Sequence, residues 1–369
     1  MQIINDIKLD FDDVLIRPKR SKTVSRSKVS LNRSYQFLNS VAEWEGFPII
    51  AANMDCVGTM AMAEALAKHN AMTCLHKHYE VSDLAKFYCS SNKVAERTFY
   101  TLGIKNKDFE KLGAVLNWKE WHTTINHYCC DVANGYTDHF VNCVKRLRDL
   151  VGEQAIIMAG NVCTPEMVQE LLISGGADIV KCGIGPGSVC STRIKTGIGY
   201  PQLSAICECS EAAHGMGGHV CADGGCKTPG DVVKAFAAGA DFVMLGGMLA
   251  GADECEGEWE YDTMILHPDD QKCLELEVPV LKKKKSLKFY GMSSKEAQEK
   301  YNGGLKDYRA AEGKCVEVPY KGSALDIVQE IQGGLRSACA YVGTDKLKNL
   351  SKCATFIRCN RTHNRVFED

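Results

Sequence analysis

The sequence lacks several features that would assign it to whole classes of protein. It has no run of about eighteen apolar residues, so no transmembrane helix is expected. Its formal net charge is only −2, so no overall positive field favours nucleic acid. The first residues, MQIINDIKLDFDD, are unlike a signal or transit peptide, and the last, NRVFED, carry no targeting tripeptide. We therefore expect a cytoplasmic protein that binds neither membranes nor nucleic acid.

Patterns typical of metal sites and disulfides are also scarce, although the chain has 19 cysteines. No C-x-x-C pair occurs, and the close pairs His76-x-His78 and Cys207-x-Cys209 are weak evidence for zinc on spacing alone. Most cysteines lie in apolar runs, where a thiol behaves as a small buried hydrophobe. In a chain of 369 residues without a secretion signal, we expect reduced cysteines.

What the sequence does contain is a repeating alternation that begins at residue 49. Short apolar runs that end in Gly, Asn or Asp are followed by amphipathic stretches of helical length. The runs are Ile49–Met54, Met72–Lys77, Thr98–Gly103, His127–Ala133, Ala155–Asn161, Asp178–Gly183, His219–Gly225 and Phe242–Gly247. The helical stretches include Thr59–Asn70, Ser82–Lys93, Tyr136–Leu150, Thr164–Gly175, Gln202–His214, Pro229–Ala238 and Ala324–Tyr341. Eight alternations predict a closed (β/α)8 TIM barrel within residues 49–369, with a doubly wound open sheet as the alternative.

Segments outside this alternation form an arm and an extension. Residues 1–48 are predicted to be an N-terminal arm with two basic segments, Arg17–Lys22 and Ser25–Lys28, which suit either solvent or phosphate groups. Residues 251–290 are acidic first and basic last, which predicts a long mobile loop or finger over the barrel rim. A C-terminal flap or extension follows.

The unusual residues of the alternation fall where the predicted strands end. They are Asn53–Asp55, Lys77, Asp131–Gly135, Gly160–Asn161, Asp223–Gly225 and Gly246–Gly247. In a barrel these ends share one rim, where active sites are built. The glycines after the last two strands also suit a phosphate group, since barrels often bind phosphate there. Each Gly-Gly pair alone is explained by a turn, but the whole set favours a site.

The most unusual stretch is DIVKCGIGPGSVCSTRIKTG, residues 178–197. A buried strand stops at Gly183, and a loop with three glycines and a proline then leads to Cys190. Such a loop can direct backbone N–H groups at an anion, and a cysteine held near a cation can act as a nucleophile. The alternative is a tight strand–helix turn in which Cys190 is one small residue among many.

Taken together, the motifs resemble the IMP dehydrogenase/GMP reductase family, and within it the reductase branch. The resemblance extends from Lys8-Leu9 to Thr355–Arg358 and includes AANMD, HKHY, DVANGY, AGNV, GIGPGSVC, TGIGYPQLSA, DGGC, FVMLGGMLAG, FYGMSS and YRAAEGK. Typical dehydrogenases carry a regulatory domain after the second barrel strand and an Arg-Tyr pair on a flap, and this sequence shows neither. Two departures are Ser191, where the family usually has threonine, and the longer excursion at 253–288.

The resemblance implies NADPH-dependent reductive deamination of GMP to IMP, with release of ammonia, by a homotetramer in purine salvage. Cys190 is implied as the nucleophile that bonds to the purine, and Thr192 with Glu312 as the pair that protonates the leaving amine. The implied GMP contacts are Ser188, Asp223, Gly224, Gly225, Gly246, Gly247, Gly291, Met292, Ser293, Arg309 and Gly313. The implied NADPH contacts are Lys77, Asp131, Val132, Ala133, Ile184 and Gly185, with Ser25 and Arg26 of this or a neighbouring subunit at the 2′-phosphate. Backbone carbonyls of Gly185, Gly187 and Cys190 are implied to bind potassium.

Three other functions are compatible with parts of this pattern. An IMP dehydrogenase would share the fold and the cysteine. A non-catalytic purine-nucleotide-binding protein is disfavoured by Cys190, Thr192 and Glu312, because a pure binder needs no nucleophile. A flavin-dependent barrel oxidoreductase would also have glycines at the strand ends.

Overall fold

The computed structural model describes residues 1, 3–21, 25–118, 125–264 and 281–360. Three sequence features fall partly outside these ranges: Lys22 of the first basic segment, residues 265–280 of the excursion, and residues 361–369. Within the described part, no helix combines the length and the apolar character needed to cross a bilayer.

Residues of the N-terminal arm pack against the end of the barrel at which its strands begin. Strands β2 (Arg33–Gln36) and β3 (Glu43–Gly46) form an antiparallel hairpin that follows the short strand β1 (Val14–Ile16). Tyr35 and Trp44 of this hairpin are buried, with ring centroids 4.9 Å and 5.1 Å from the ring of Phe242. Because Phe242 begins a barrel strand, the hairpin covers the end of the barrel where the strands start.

The structure confirms the predicted (β/α)8 barrel. Eight parallel strands close in sequence order, the last pairing with the first through Leu245 and Ala51. The strands are β4 (Ile49–Ala51), β5 (Met72–Cys74), β6 (Thr98–Leu102), β7 (His127–Asp131), β8 (Ile156–Val162), β9 (Ile179–Cys182), β10 (His219–Asp223) and β11 (Phe242–Leu245). Each predicted apolar run corresponds to one barrel strand. In most runs the last residues lie beyond the strand, in the loop at the rim.

Helices accompany the strands, and most of them lie on the outside of the barrel. They are α1 (Met60–Ala67), α2 (Val81–Ser90), α3 (Asn92–Ala95), α4 (Asn106–Leu116), α5 (Asp138–Val151), α6 (Pro165–Ile173), α7 (Thr192–Thr196), α8 (Gln202–His214), α9 (Pro229–Ala237), α10 (Lys295–Asn302), α11 (Ala324–Val342) and α12 (Leu350–Cys353). The sequence analysis missed α4, whose buried residues Phe109, Leu112 and Val115 recur every three positions. The seven predicted helical stretches all contain helices, because an amphipathic helix buries one apolar stripe. The short helices α7, α10 and α12 were not predicted.

The excursion contains regular strands. Strand β12 (Trp259–Met264) pairs antiparallel with β13 (Leu281–Tyr290), which pairs with β14 (Cys315–Pro319). The acidic and basic halves of the segment lie opposite each other, with Lys285 Nζ 3.3 Å from Glu260 Oε2 and Lys288 Nζ 3.2 Å from Glu258 Oε2. Opposite charges on neighbouring strands favour this pairing. The sequence had predicted a loop or finger here without strands. At the chain's end, β15 (Phe356–Arg358) pairs with β1.

Candidate active site at the strand carboxyl ends

The loop that follows β9 carries Cys190 at the rim. Its first residue, Gly183, has φ of 148°, and a Cβ there would lie 2.1 Å from the carbonyl oxygen of Asp223. Only glycine fits this close approach of two strand ends. Arg193, just beyond the loop, is held by Asp10 of the N-terminal arm at 2.8 Å. The arm thus fixes the far side of the Cys190 loop.

Three predicted catalytic side chains form one hydrogen-bonded chain. The Cys190 thiol lies 3.2 Å from Thr192 Oγ1, and the Thr192 hydroxyl donates to Glu312 Oε2 at 2.8 Å. All three residues are partly exposed, so a ligand can reach them. The arrangement connects a potential nucleophile to a carboxylate through a hydroxyl that can pass a proton in either direction.

Glu312 reaches Thr192 because residues 291–313, here called the cover segment, are bonded to the Cys190 loop. Ser191 N donates to Glu312 O at 3.1 Å, and Lys314 N donates to Val189 O at 2.9 Å. The cover segment also folds on itself, with Glu312 N donating to Ser293 O at 3.1 Å. Its small residues matter, since a Cβ on Gly313 would lie 2.9 Å from Ser294 N. The segment therefore packs directly over Cys190.

The predicted phosphate-binding residues converge beside the Cys190 loop. A Cβ on Gly247 would lie 2.8 Å from Ser188 Oγ, and one on Gly224 would lie 3.2 Å from Gly187 N. Gly225 lies against Pro186 of the same loop, with a Cβ at 3.4 Å. Three glycine-containing turns that follow β9, β10 and β11 thus lie against one another at the rim, where barrels often bind phosphate.

Lys181 is a site residue that the sequence analysis missed. Its ammonium lies 2.5 Å from Asp131 and 3.2 Å from Asp223, and its side chain is only 3% exposed. Asn161 Nδ2 also donates to Asp223 Oδ2, at 2.9 Å. Burial alone would lower the pKa of Lys181, but Asp131 and Asp223 outweigh it and raise that pKa well above its usual range. The sequence did contain a signal that Lys181 faces the barrel interior. Residues two apart in a strand share a face, and Ile179 faces inward.

The predicted cofactor residues divide into two groups. Asp131, Val132 and Ala133 follow β7, with Val132 N bonded to Gly160 O at 2.9 Å, and Ile184 and Gly185 follow β9. Burial would raise the pKa of Asp131, but the charge of Lys181 first and then that of Lys77 lower it. These residues share one part of the rim.

Ser25 and Arg26 lie elsewhere. They begin a single 3-10 turn that packs against α11, on the outside of the barrel. Among the described contacts, no hydrogen bond or ion pair joins either residue to Lys77, Asp131 or Ile184.

The remaining predicted GMP and metal contacts also lie at the rim. Gly291, Met292 and Ser293 begin the cover segment, and Arg309 is exposed near its end. The Gly187 carbonyl accepts a hydrogen bond from Cys190 N at 3.0 Å, while the Gly185 and Cys190 carbonyls accept none within the described residues. Free backbone carbonyls are hard oxygen donors and fit potassium. The ranges that the structure covers hold no cluster of three His, Cys, Asp or Glu side chains suited to a metal.

Comparison with known proteins agrees with this geometry. The family described as "IMP dehydrogenase / GMP reductase domain" matches residues 8–267 and 273–366. The GMP reductase of Phytophthora infestans is 53% identical over 366 residues, covering 99% of this chain and 94% of that protein. The GMP reductases of Shewanella pealeana and Yersinia pestis are 50% and 51% identical over 368 residues, covering 100% of this chain and 99% of each. The chain belongs to the IMP dehydrogenase/GMP reductase family.

Proposed function

We propose that this protein catalyses the NADPH-dependent reductive deamination of GMP to IMP, with release of ammonia. The observation that carries the proposal is the chain of hydrogen bonds from Cys190 through Thr192 to Glu312. Relatives named GMP reductase, about half identical over the whole chain, support the same activity. IMP dehydrogenase is not favoured.

The hydrogen-bonded chain accounts for the proton movements of the first half-reaction. The thiol proton of Cys190 passes through Thr192 to Glu312, and the thiolate adds to C2 of the purine. The amine at C2 must gain a proton before the C–N bond breaks, because an amide ion is not a viable leaving group. Glu312 returns a proton through Thr192, ammonia departs, and the S–C2 bond remains.

The second half-reaction needs a hydride and a good leaving group. NADPH, when bound, supplies a hydride to C2. Cys190 then leaves as a thiolate, which the sulfur accommodates well, and IMP is released. Lys77, Asp131, Val132, Ala133, Ile184 and Gly185 would hold the cofactor, since they lie at or beyond the carboxyl ends of β5, β7 and β9. Lys181 holds the carboxylates of Asp131 and Asp223 in place through ion pairs.

The rim residues hold GMP in register with Cys190. The turns at Ser188, Gly224–Gly225 and Gly246–Gly247 bind the 5′-phosphate through backbone N–H groups and a hydroxyl. Asp223 accepts hydrogen bonds from the ribose hydroxyls. Gly291, Met292, Ser293, Arg309 and Gly313 cover the base. Carbonyls of Gly185, Gly187 and Cys190 would hold a potassium ion, whose charge would stabilise the loop around the nucleophile.

We further propose that the enzyme is a cytoplasmic homotetramer in which residues 1–48 serve as an arm on one catalytic barrel. The position of Ser25 and Arg26 against α11, outside the rim, supports a 2′-phosphate contact made across a subunit boundary. Light scattering after size exclusion measures the assembly directly.

A steady-state assay tests the central proposal. We expect purified protein to consume NADPH in the presence of GMP and to release IMP and ammonia in equal amounts. Cys190→Ala should bind GMP nearly as well and lose turnover, because the thiolate makes the covalent bond but little of the ground-state affinity. NAD⁺ reduction with IMP and no activity with GMP would assign a dehydrogenase instead. Turnover of Cys190→Ala within about tenfold of wild type would refute the nucleophile.

A further inference from the structure

A buried carboxylate on the barrel rim binds the cover segment at a second place, away from Cys190. Asp55 Oδ2 accepts hydrogen bonds from Tyr290 Oη at 2.6 Å, Tyr301 Oη at 2.7 Å and Lys300 Nζ at 3.0 Å. The Asp55 side chain is only 2% exposed. Three donors on one carboxylate oxygen make an unusually dense contact for a residue outside the catalytic chain.

All three donors lie within the cover segment or directly before it. Tyr290 is the last residue of β13 and directly precedes the segment, while Lys300 and Tyr301 belong to α10 within it. His78, from the loop after β5, stacks on the ring of Tyr301 with centroids 3.5 Å apart and planes at 10°. The loops that follow β4 and β5 therefore both contact the same turn of α10.

The charge on Asp55 is part of this contact. Burial would raise the pKa of Asp55, but hydrogen bonds from Tyr290, Tyr301 and Lys300 outweigh it and lower that pKa below its usual value. Hydrogen bonds to an ionised acceptor are shorter and about twice as strong as neutral ones. The carboxylate thus holds α10 more firmly than a neutral acceptor would.

A short path connects α10 to the catalytic chain. The helix is capped at its start by Ser294, whose hydroxyl accepts from Ala297 N at 3.2 Å. The residue before it, Ser293, accepts the backbone N–H of Glu312. A shift of α10 therefore moves the carbonyl that holds Glu312, and with it the carboxylate that meets Thr192.

We propose that Asp55 is a positioning residue: by holding α10 on the rim, it keeps Glu312 in hydrogen-bond contact with Thr192. The inference rests on the proposed function, because it assigns the effect to deamination. Geometry of this kind is sensitive, since a misplacement of about 1 Å remote from the chemistry can cost about a hundredfold in rate. Asp55 touches neither Cys190 nor Thr192 and acts through Glu312 alone.

Two variants of the contact and one matched control test the inference. Asp55→Asn keeps the size of the side chain but removes the charge that pairs with Lys300, and Tyr301→Phe removes one donor. Tyr320→Phe is the control, because it breaks another tyrosine–aspartate hydrogen bond, from Tyr320 Oη to Asp253 Oδ2 at 3.0 Å, directly after β14.

The two half-reactions are measured separately by single turnover. Deamination is followed with GMP alone, and hydride transfer is followed in reverse with IMP and NADP⁺. We expect both contact variants to slow deamination about tenfold or more and hydride transfer by a smaller factor, with Tyr320→Phe unchanged in both. Deamination uses the Glu312 chain for two proton transfers, from the thiol and to the amine, whereas the reverse hydride step uses it only for the first. The double variant should lose little more than the worse single variant, because both act through one contact. Equal losses in the two half-reactions, or no loss in deamination, would overturn the proposal.

Hydrogen exchange provides a readout that does not depend on activity. Amides of residues 295–302 should exchange faster in Asp55→Asn and Tyr301→Phe than in wild type, and equally fast in Tyr320→Phe. Unchanged exchange in the contact variants would refute the anchoring. A wild-type protein that does not reduce GMP would refute the proposed function instead, and the exchange data would still report on the anchor.

Discussion

Replacing Lys181 by methionine would leave the carboxylates of Asp131 and Asp223 facing each other without the cation between them. Lys181 is almost fully buried, while the two carboxylates are 28% and 21% exposed. Methionine fills most of the space, so the change removes charge more than volume. The loss should therefore be electrostatic.

The magnitude follows from the burial of the three groups. Removing one partner of a buried ion pair costs about 3–5 kcal/mol, and partial solvation of the carboxylates places this case at the lower end, about 3 kcal/mol. For a chain of 369 residues, that corresponds to a fall in Tm of about 4 °C. Lys181 is the main group that lowers the pKa of Asp131, so without it burial should raise that pKa. The folded variant would then hold a proton more readily than the unfolded chain, so its deficit should shrink as the pH falls.

Thermal unfolding from about pH 5 to pH 8, compared with wild type, measures both effects. Lys181→Arg is the matched control, since it keeps the charge and should lose less stability than Lys181→Met. kcat/KM for GMP should fall in Lys181→Met, because both carboxylates that face the ligands lose their partner. A deficit below about 1 kcal/mol that does not change with pH would refute the reasoning, because it would mean that the carboxylates do not need the cation.

Three further predictions concern single side chains. Glu312→Gln should slow ammonia release more than hydride transfer, because the carboxyl delivers the proton to the amine; an equal loss in the IMP and NADP⁺ half-reaction would contradict this role. Arg26→Ala should weaken NADPH by about 1.5–3 kcal/mol and hardly alter NADH, since a guanidinium grips the 2′-phosphate; equal losses in kcat/KM for both cofactors would exclude it. The hydrogen bond to Asp241 raises the pKa of His214 above 6.5, so this contact stabilises the fold below that pH and fades as the pH rises through the raised value. His214→Gln should remove that part of the Tm–pH slope, and an unchanged slope would contradict the assignment.

Much of the barrel was predictable because its signals are local. Each strand is a short apolar run, and each rim loop begins with residues that end a strand, as Gly183 does. These signals depend on neighbouring residues and need no knowledge of distant contacts. The helix α4 carried the same kind of signal and was overlooked, since Phe109, Leu112 and Val115 mark its apolar stripe.

Strands of the excursion were not predictable in the same way. The Lys-rich β13 has no apolar alternation in its first half, and its stability comes from acidic residues on β12 and from pairing with β14. Charged residues form a strand here because the partner strand supplies opposite charges. The strand β13 is therefore specified by its pairing with β12 and β14, and its own sequence does not predict it.

The sequence by itself determined the barrel, the order of its strands and the loop that presents Cys190, because apolar periodicity and glycine act over a few residues. Only the tertiary structure decided which groups meet. Glu312 lies 120 residues from Thr192, and Lys181 lies 50 residues from Asp131. When the barrel closes, the inward-facing residues at the carboxyl ends of its strands lie around one axis, however far apart they are in the sequence. A buried cation between two carboxylates, and a carboxylate that anchors α10, exist only after that closure.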